Sequence, residues 1–208
     1  AVVAAGMLIL APVAALRRRQ EPLGATLIYF ALLGLGYLFV EIPLMQRFIL
    51  FVGHPAYAMA VVLFAILLFS GAGSAISHRL PLVPVLALLP VLVGIYALGL
   101  PTLFEVTLAA QAWVRVIVTV VMLAPLGFLM GIPLPKGMSQ LEKKSPDLIA
   151  WAWGVNGALS VIASILAALL ALSLGFAVVL ILGAVCYAVA MITVAIPRLP
   201  HSLGFPRP

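Results

Sequence analysis

Runs of about 20 apolar residues, the length an α-helix needs to cross the hydrocarbon core of a bilayer, recur along the whole chain. Seven can be delimited, at 1–16, 24–42, 56–78, 82–101, 113–132, 149–173 and 175–196. Nothing constrains the fold more, because lipid offers the backbone no hydrogen bonds and each spanning segment must satisfy its own amides. The expectation is an all-α, polytopic transmembrane bundle of seven helices over residues 1–196, followed by an extended, proline-rich tail at 197–208. The chain starts at Ala1 already inside an apolar run, so the first helix is expected to be truncated. A signal peptide is not the reading, since the arginines follow that run instead of preceding it.

The breaks between runs are chemically marked. Arg17-Arg18-Arg19-Gln20-Glu21-Pro22 ends the first run, and Pro43 with Gly53-His54-Pro55 separates the second from the third. Ser77-His78-Arg79 precedes Pro81, Pro101 opens the next loop, and Pro133 and Pro135 open the one after. Gln140–Asp147 reads as a short polar loop, and Ser173-Leu174-Gly175 leaves room only for a tight hairpin.

Composition agrees. Hydrophobic residues make up 66% of the chain and charged ones 8%, with a mean hydropathy of +1.33, whereas about a quarter of a soluble domain is charged. The net charge of +6 does not point to nucleic acid, because the basic residues are spread among loops with no aromatic-interleaved patch. It points to topology. Arg17, Arg18, Arg19, Arg79, Lys136, Lys143, Lys144, Arg198 and Arg207 fall on alternate loops and the tail, and only Arg47 and Arg115 fall on the other side. Positive residues accumulate in the cytoplasm, so the pattern predicts an outside N-terminus and a cytoplasmic C-terminus.

The rare polar residues inside the runs are the candidate sites, because an ionisable group at membrane depth costs about 2.5–3.5 kcal/mol unless paired. Glu41, Arg47, Glu105 and Arg115 all fall toward the outer side, two acids and two bases. An ion pair from Glu41 to Arg47 or Arg115 is expected, within an intramembrane polar network of Glu41, Gln46, Arg47, Arg115 and Asn156 that is either structural or ligand-binding. Tyr37 and Gln111 could join it. Asn156 is read first as an interhelical hydrogen-bond donor. Gly157, Ser160, Ser164 and Ala168 recur at three- and four-residue steps and are expected to form a helix-packing face. Trp151 and Trp153 suit a membrane boundary. The prolines and glycines of Ala124–Gly137 free backbone carbonyls at the end of the fifth run, which either marks a kinked terminus or lines a site.

Catalytic, cofactor and metal signatures are absent from the sequence. Gly34-Leu35-Gly36 and Gly71-Ala72-Gly73 lack a third glycine and lie within apolar helices, and Gly131–Gly137 fails the P-loop pattern. His54 and His78 have no partner ligand at metal spacing and are read as capping or water-contacting residues. Cys186 stands alone, so it has no intramolecular disulfide partner.

The strings Tyr37–Arg47 (YLFVEIPLMQR), Leu50–Tyr57 (LFVGHPAY), Leu68–Ser74 (LFSGAGS), Pro125–Pro135 (PLGFLMGIPLP) and Trp151–Ser164 (WAWGVNGALSVIAS) carry a resemblance. Together they resemble the membrane-spanning part of bacterial spermidine synthase-like integral membrane proteins, in which a transporter-like bundle is fused to a soluble aminopropyltransferase-type domain. The resemblance implies a multi-pass protein of the bacterial cytoplasmic membrane. The catalytic domain of that family has no counterpart in these residues, so no catalytic residue carries over. The first functional expectation is therefore a non-catalytic subunit or scaffold, packed with other membrane subunits in an energy-transducing or photosynthetic complex, with the lipid bilayer as its other partner. The second is a transporter-like bundle that binds a small molecule, and the third is the membrane part of a polyamine-type enzyme.

Overall fold

A computed structural model describes residues 23–195. The apolar run at 1–16 and the tail at 197–208 lie outside the described residues. Within them the chain forms α1 (Leu23–Val52), α2 (Pro55–Ala75), α3 (Leu82–Thr107), α4 (Ala112–Met130), α5 (Pro133–Lys144), α6 (Ile149–Leu174) and α7 (Phe176–Ala195). Short 3₁₀ turns at Ser77–Arg79 and Pro146–Leu148 join α2 to α3 and α5 to α6. Six helical segments are long and apolar enough to cross a membrane, and α5, short and amphipathic, extends the α4 segment.

Several boundaries differ from the sequence expectation, and prolines are at each of them. α1 does not stop at Pro43 but runs through it to Val52, and α3 runs through Pro90 and Pro101 to Thr107. Where water cannot replace a broken helix bond, packing against neighbours keeps a proline-containing helix intact. The buried stripe of α1 shows this: Leu33, Val40, Leu44, Phe48 and Phe51 continue at helical spacing across Pro43. Beyond Pro101, Phe104 stacks on Phe51 with ring centroids 4.4 Å apart and meets Phe48 edge-on at 5.2 Å, which holds the ends of α1 and α3 together. Pro133 likewise opens a helix instead of a loop, since a proline in the first turn gives up an amide that would have no intrahelical partner. The stretch read as a polar loop from Gln140 is thus helical as far as Lys144.

α1 is the axis of the bundle. It packs along α6 and α7, α7 packs in turn on α3, and α2 pairs with α4. Two single-glycine turns make the tight reversals: Gly53, with φ +88°, lies between α1 and α2, and Gly175, with φ +87°, lies between α6 and α7. That left-handed backbone is open to glycine at little cost.

Close helix contacts rest on missing side chains. A Cβ added to Gly73 would lie 2.0 Å from the Phe128 carbonyl oxygen, and one added to Gly131 would lie 2.0 Å from that of Ser70, so α2 and α4 touch backbone to backbone. Gly36 and Gly183 make room for side chains between α1 and α7, where a Cβ on Gly183 would meet the Val40 side chain at 2.8 Å and one on Gly36 would meet Cys186 and Tyr187 at 3.2 and 3.3 Å. The outer surface is as apolar as the core, with Phe64, Leu98, Val106 and Leu172 between 65% and 84% exposed. Such a surface suits lipid and not water.

A polar-lined cleft as candidate functional site

Between α1, α2, the α4–α5 break and α6 lies a cleft of about 540 Å³, closed at the back by Tyr187 of α7. Its walls are largely apolar, with Leu33, Leu38, Leu67, Met130 and Leu134, but six hydroxyl- or amide-bearing side chains line it as well: Tyr37, Ser70, Ser74, Asn156, Ser160 and Tyr187. No Asp, Glu, Lys or Arg is among the lining residues. The cleft sits toward the end of the bundle that carries the Ser77–Arg79 turn and α5.

Each wall is set by local chemistry. α6 approaches α1 at Gly34, where a Cβ would lie 2.4 Å from the Asn156 carbonyl oxygen and 2.9 Å from Ser160 Oγ. Asn156 Nδ2 donates to the Phe30 carbonyl at 3.0 Å, an interhelical bond. Because a carbonyl can only accept, the amide nitrogen must face Phe30, which leaves Asn156 Oδ1 as an acceptor. Ser160 spends its hydrogen on the Asn156 backbone carbonyl at 2.8 Å, so its oxygen also remains an acceptor. On the opposite wall Ser70 Oγ donates to the Leu67 carbonyl at 3.2 Å.

The helix break supplies the floor. Tyr29, fully buried, donates to the Pro133 carbonyl at 2.9 Å and holds the start of α5 against α1. Pro135 has no N–H to return to the Gly131 carbonyl, which therefore lacks its helical donor at the cleft. Lys136 Nζ donates to the His78 carbonyl at 2.9 Å, tying α5 to the α2–α3 turn. Tyr187 stands apart from all of these: it is 1% exposed, and its hydroxyl has no hydrogen-bond partner. A buried hydroxyl left without a partner costs about 1–3 kcal/mol.

The polar residues singled out in the sequence do not form one network. Glu41 is half-buried, within electrostatic reach of Tyr37 and Tyr187, and joined in an ion pair to neither Arg47 nor Arg115. Six residues along a helix is 600° of rotation, so Glu41 and Arg47 point about 120° apart, unlike pairs three or four residues apart. Arg47 turns toward α7, its guanidinium 5.7 Å from the centre of the Phe176 ring. Arg115 serves the end of α1 instead, donating through Nη1 to the Phe51 carbonyl at 2.9 Å, one of the last carbonyls of a helix that has no intrahelical donor. Gln46 is half-buried on α1, and Glu105 is exposed at the end of α3.

Of the polar candidates, Asn156, Ser160 and Tyr37 reach the cleft, and the Ala124–Gly137 stretch lines it from Met130 to Pro135. The packing face of α6 is also rotated from the expected one. Ala152, Val155, Ala163, Ala167 and Ala171 are buried, Ser164 and Ala168 are half-buried, and Gly157 is exposed with open space around its α-carbon. The stripe follows the crossing with α1 and α7, where Ala163, Ala167 and Ala171 pack with Phe39, Val179 and Cys186. His54 precedes α2 and is exposed without a side-chain cap bond, and His78 accepts from Arg79 Nε at 3.2 Å. No cluster of metal-ligating residues occurs among the described residues.

Sequence reasoning missed Tyr187, Ser70 and Ser74. A phenol or serine in an apolar run has no local signature, and only the crossing of α2, α6 and α7 around α1 brings these together. One signal was readable: Gly127 and Gly131 are four apart, the small-residue spacing of close helix crossings, and Gly131 both makes the α2 contact and lines the cleft.

Six helices long and apolar enough to cross a membrane and an outer surface rich in exposed hydrocarbon define a multi-pass membrane protein. Compared with known protein families, curated proteins and solved structures, the chain gives no match.

Proposed function

We propose that this chain is a transporter-like membrane bundle that binds a small molecule in the cleft between α1, α2, α5 and α6. The carrying observation is the cleft itself: about 540 Å³ within membrane-spanning helices, lined by six polar side chains and ending on the unpartnered Tyr187 hydroxyl. A scaffold has no use for such a space, because void and unpaired polar groups both lower stability. A ligand that fills it offsets that cost. The break at Gly131-Ile132-Pro133 supports the reading, since non-helical backbone at membrane depth is tolerated where it lines a cavity.

The bundle is oriented in this reading with the Ser77–Arg79 turn and α5 toward the cytoplasm. Arg79, Lys136, Lys143 and Lys144 lie at that end, and Arg47 and Arg115 at the other, the bias that sets orientation in bacterial and other membranes alike. Membership in a larger assembly, or a place as the membrane part of a polyamine-type enzyme, is compatible with a ligand-binding bundle.

Gly71 provides the test. It lines the cleft, and a Cβ built on it meets nothing within 4 Å, so Gly71→Trp introduces a bulky ring from this wall at a position where the side chain starts in open space. Protein extracted in mild detergent should carry a small molecule, detected by mass spectrometry of its organic extract, that the Gly71→Trp protein lacks. Identical extracts from both, with other membrane subunits as the only co-purifying species, would return the chain to the scaffold role.

A further inference from the structure

The cleft sets uncharged hydrogen-bonding groups among apolar walls, and that combination states what the occupant must offer. Asn156 Oδ1, Ser160 Oγ and the Gly131 carbonyl are acceptors, since Ser160 gives its one hydrogen to the Asn156 carbonyl and Pro135 has none to give, while Asn156 keeps one of its two amide hydrogens and Ser74 keeps a hydroxyl that both donates and accepts. The Tyr187 hydroxyl is a donor with no acceptor, on a side chain 1% exposed. No lining residue carries a charge. A charged group brought to such a site from water would be unpaired at membrane depth.

Resting on the binding role proposed above, we infer that the cleft selects an uncharged, membrane-dissolved molecule with an apolar body and a hydroxyl or amide N–H group. A hydroxyl can donate to Asn156 Oδ1 or the Gly131 carbonyl while it accepts from Tyr187. Leu33, Leu38, Leu67, Met130 and Leu134 cover the apolar body. Glu41 lies one turn beyond Tyr37 on α1, outside the lining and within electrostatic reach of Tyr187. Its position makes a cationic occupant the rival that the experiment has to separate.

The test uses the whole chain in phosphatidylcholine nanodiscs and four probes of one chain length: 1-decanol, decylamine, decanoate and decane. The thermal unfolding midpoint is read as a function of probe concentration, with Gly71→Trp as the reference that subtracts effects of the probe on the bilayer. Decanol should raise the midpoint of the wild type and leave that of Gly71→Trp unchanged, and the other three should give no difference between the two proteins. Tyr187→Phe removes a hydroxyl without changing the packing shape, so it should fold with a midpoint at or above the wild type and bind decanol about 3- to 10-fold more weakly, the loss of one hydrogen bond.

A larger Gly71-dependent effect from decylamine or decanoate would overturn the uncharged class and leave the binding role standing. An equal effect from decane would overturn the hydrogen-bonding requirement. Unchanged decanol affinity in Tyr187→Phe would remove Tyr187 from the site. No Gly71-dependent effect from any probe would overturn the binding role itself. Neutral lipids share the chemistry of simple alcohols, and 1,2-dioctanoylglycerol added to the series separates these sources: a shift above that of decanol assigns the site to a lipid hydroxyl, and a smaller one to a compact solute.

Discussion

At the scale of the residue, glycine carries the most information in this chain, and equal glycines differ widely in what they tolerate. Gly131 touches the Ser70 backbone, so a methyl group cannot be absorbed by rotating a side chain, and α2 and α4 must separate. Gly157 faces open space. Gly131→Ala should lower stability by several kcal/mol, on the order of the larger overpacking penalties. Gly157→Ala should be neutral or stabilise by up to about 1 kcal/mol through helix propensity. Reversible unfolding in detergent, monitored by circular dichroism, distinguishes the two. Asn156 follows the same logic among polar groups. It could be picked out in the sequence because an amide in an apolar helix needs a partner, whereas its actual acceptor, the Phe30 carbonyl 126 residues away, follows only from the crossing at Gly34.

Among the elements, α5 is the one whose chemistry the sequence concealed. Two prolines made its first turn look like a loop, yet Pro133 opens the helix and Pro135 stands in its first turn, where the amides have no carbonyl of α5 itself to bond. Gly137, Leu141 and Pro133 turn toward the bundle, while Lys143 and Lys144 remain exposed near its C-terminal end, where they favour the helix dipole. Its first turn borders the cleft, and its tether is the Lys136 bond to the His78 carbonyl. Lys136→Ala should therefore loosen α5 and little else. Hydrogen exchange should accelerate within Pro133–Lys144, by an amount equivalent to about 0.5–1.5 kcal/mol for one solvent-accessible hydrogen bond, with the cores of α1, α6 and α7 unchanged. Acceleration spread evenly over all helices would show that this bond supports the whole fold.

For the whole molecule, the distribution of charge and the distribution of space point to the same end. The basic residues gather where the cleft lies, and the opposite end is closed by Phe48, Phe51 and Phe104 with Arg115 capping α1. The proposed orientation can be checked with single cysteines in a Cys186→Ala background, at exposed positions of opposite ends. Ala109→Cys should react with a membrane-impermeant maleimide in intact cells, and Ser139→Cys only after the membrane is opened. The reverse pattern would invert the protein and put the basic end outside.

Hydropathy, read alone, determined that this chain is a membrane-spanning helical bundle, where most of its turns fall, and which end carries positive charge. Those properties follow from transfer free energy summed over about 20 residues at a time, and no distant contact can overrule a sum that large. Helix ends at Pro43, Pro101 and Pro133 were beyond it, because a proline's cost depends on whether neighbours satisfy the carbonyl it frees. The Glu41–arginine pairing failed for a related reason: sequence shows that opposite charges share a membrane face, but their angular positions and a better acceptor at Phe51 decide the partner. The cleft belongs wholly to the tertiary structure. Its polar groups come from five separate parts of the chain, and what unites them is the close approach of helices at Gly34, Gly73 and Gly131, a property of backbone contact that no single stretch of sequence contains.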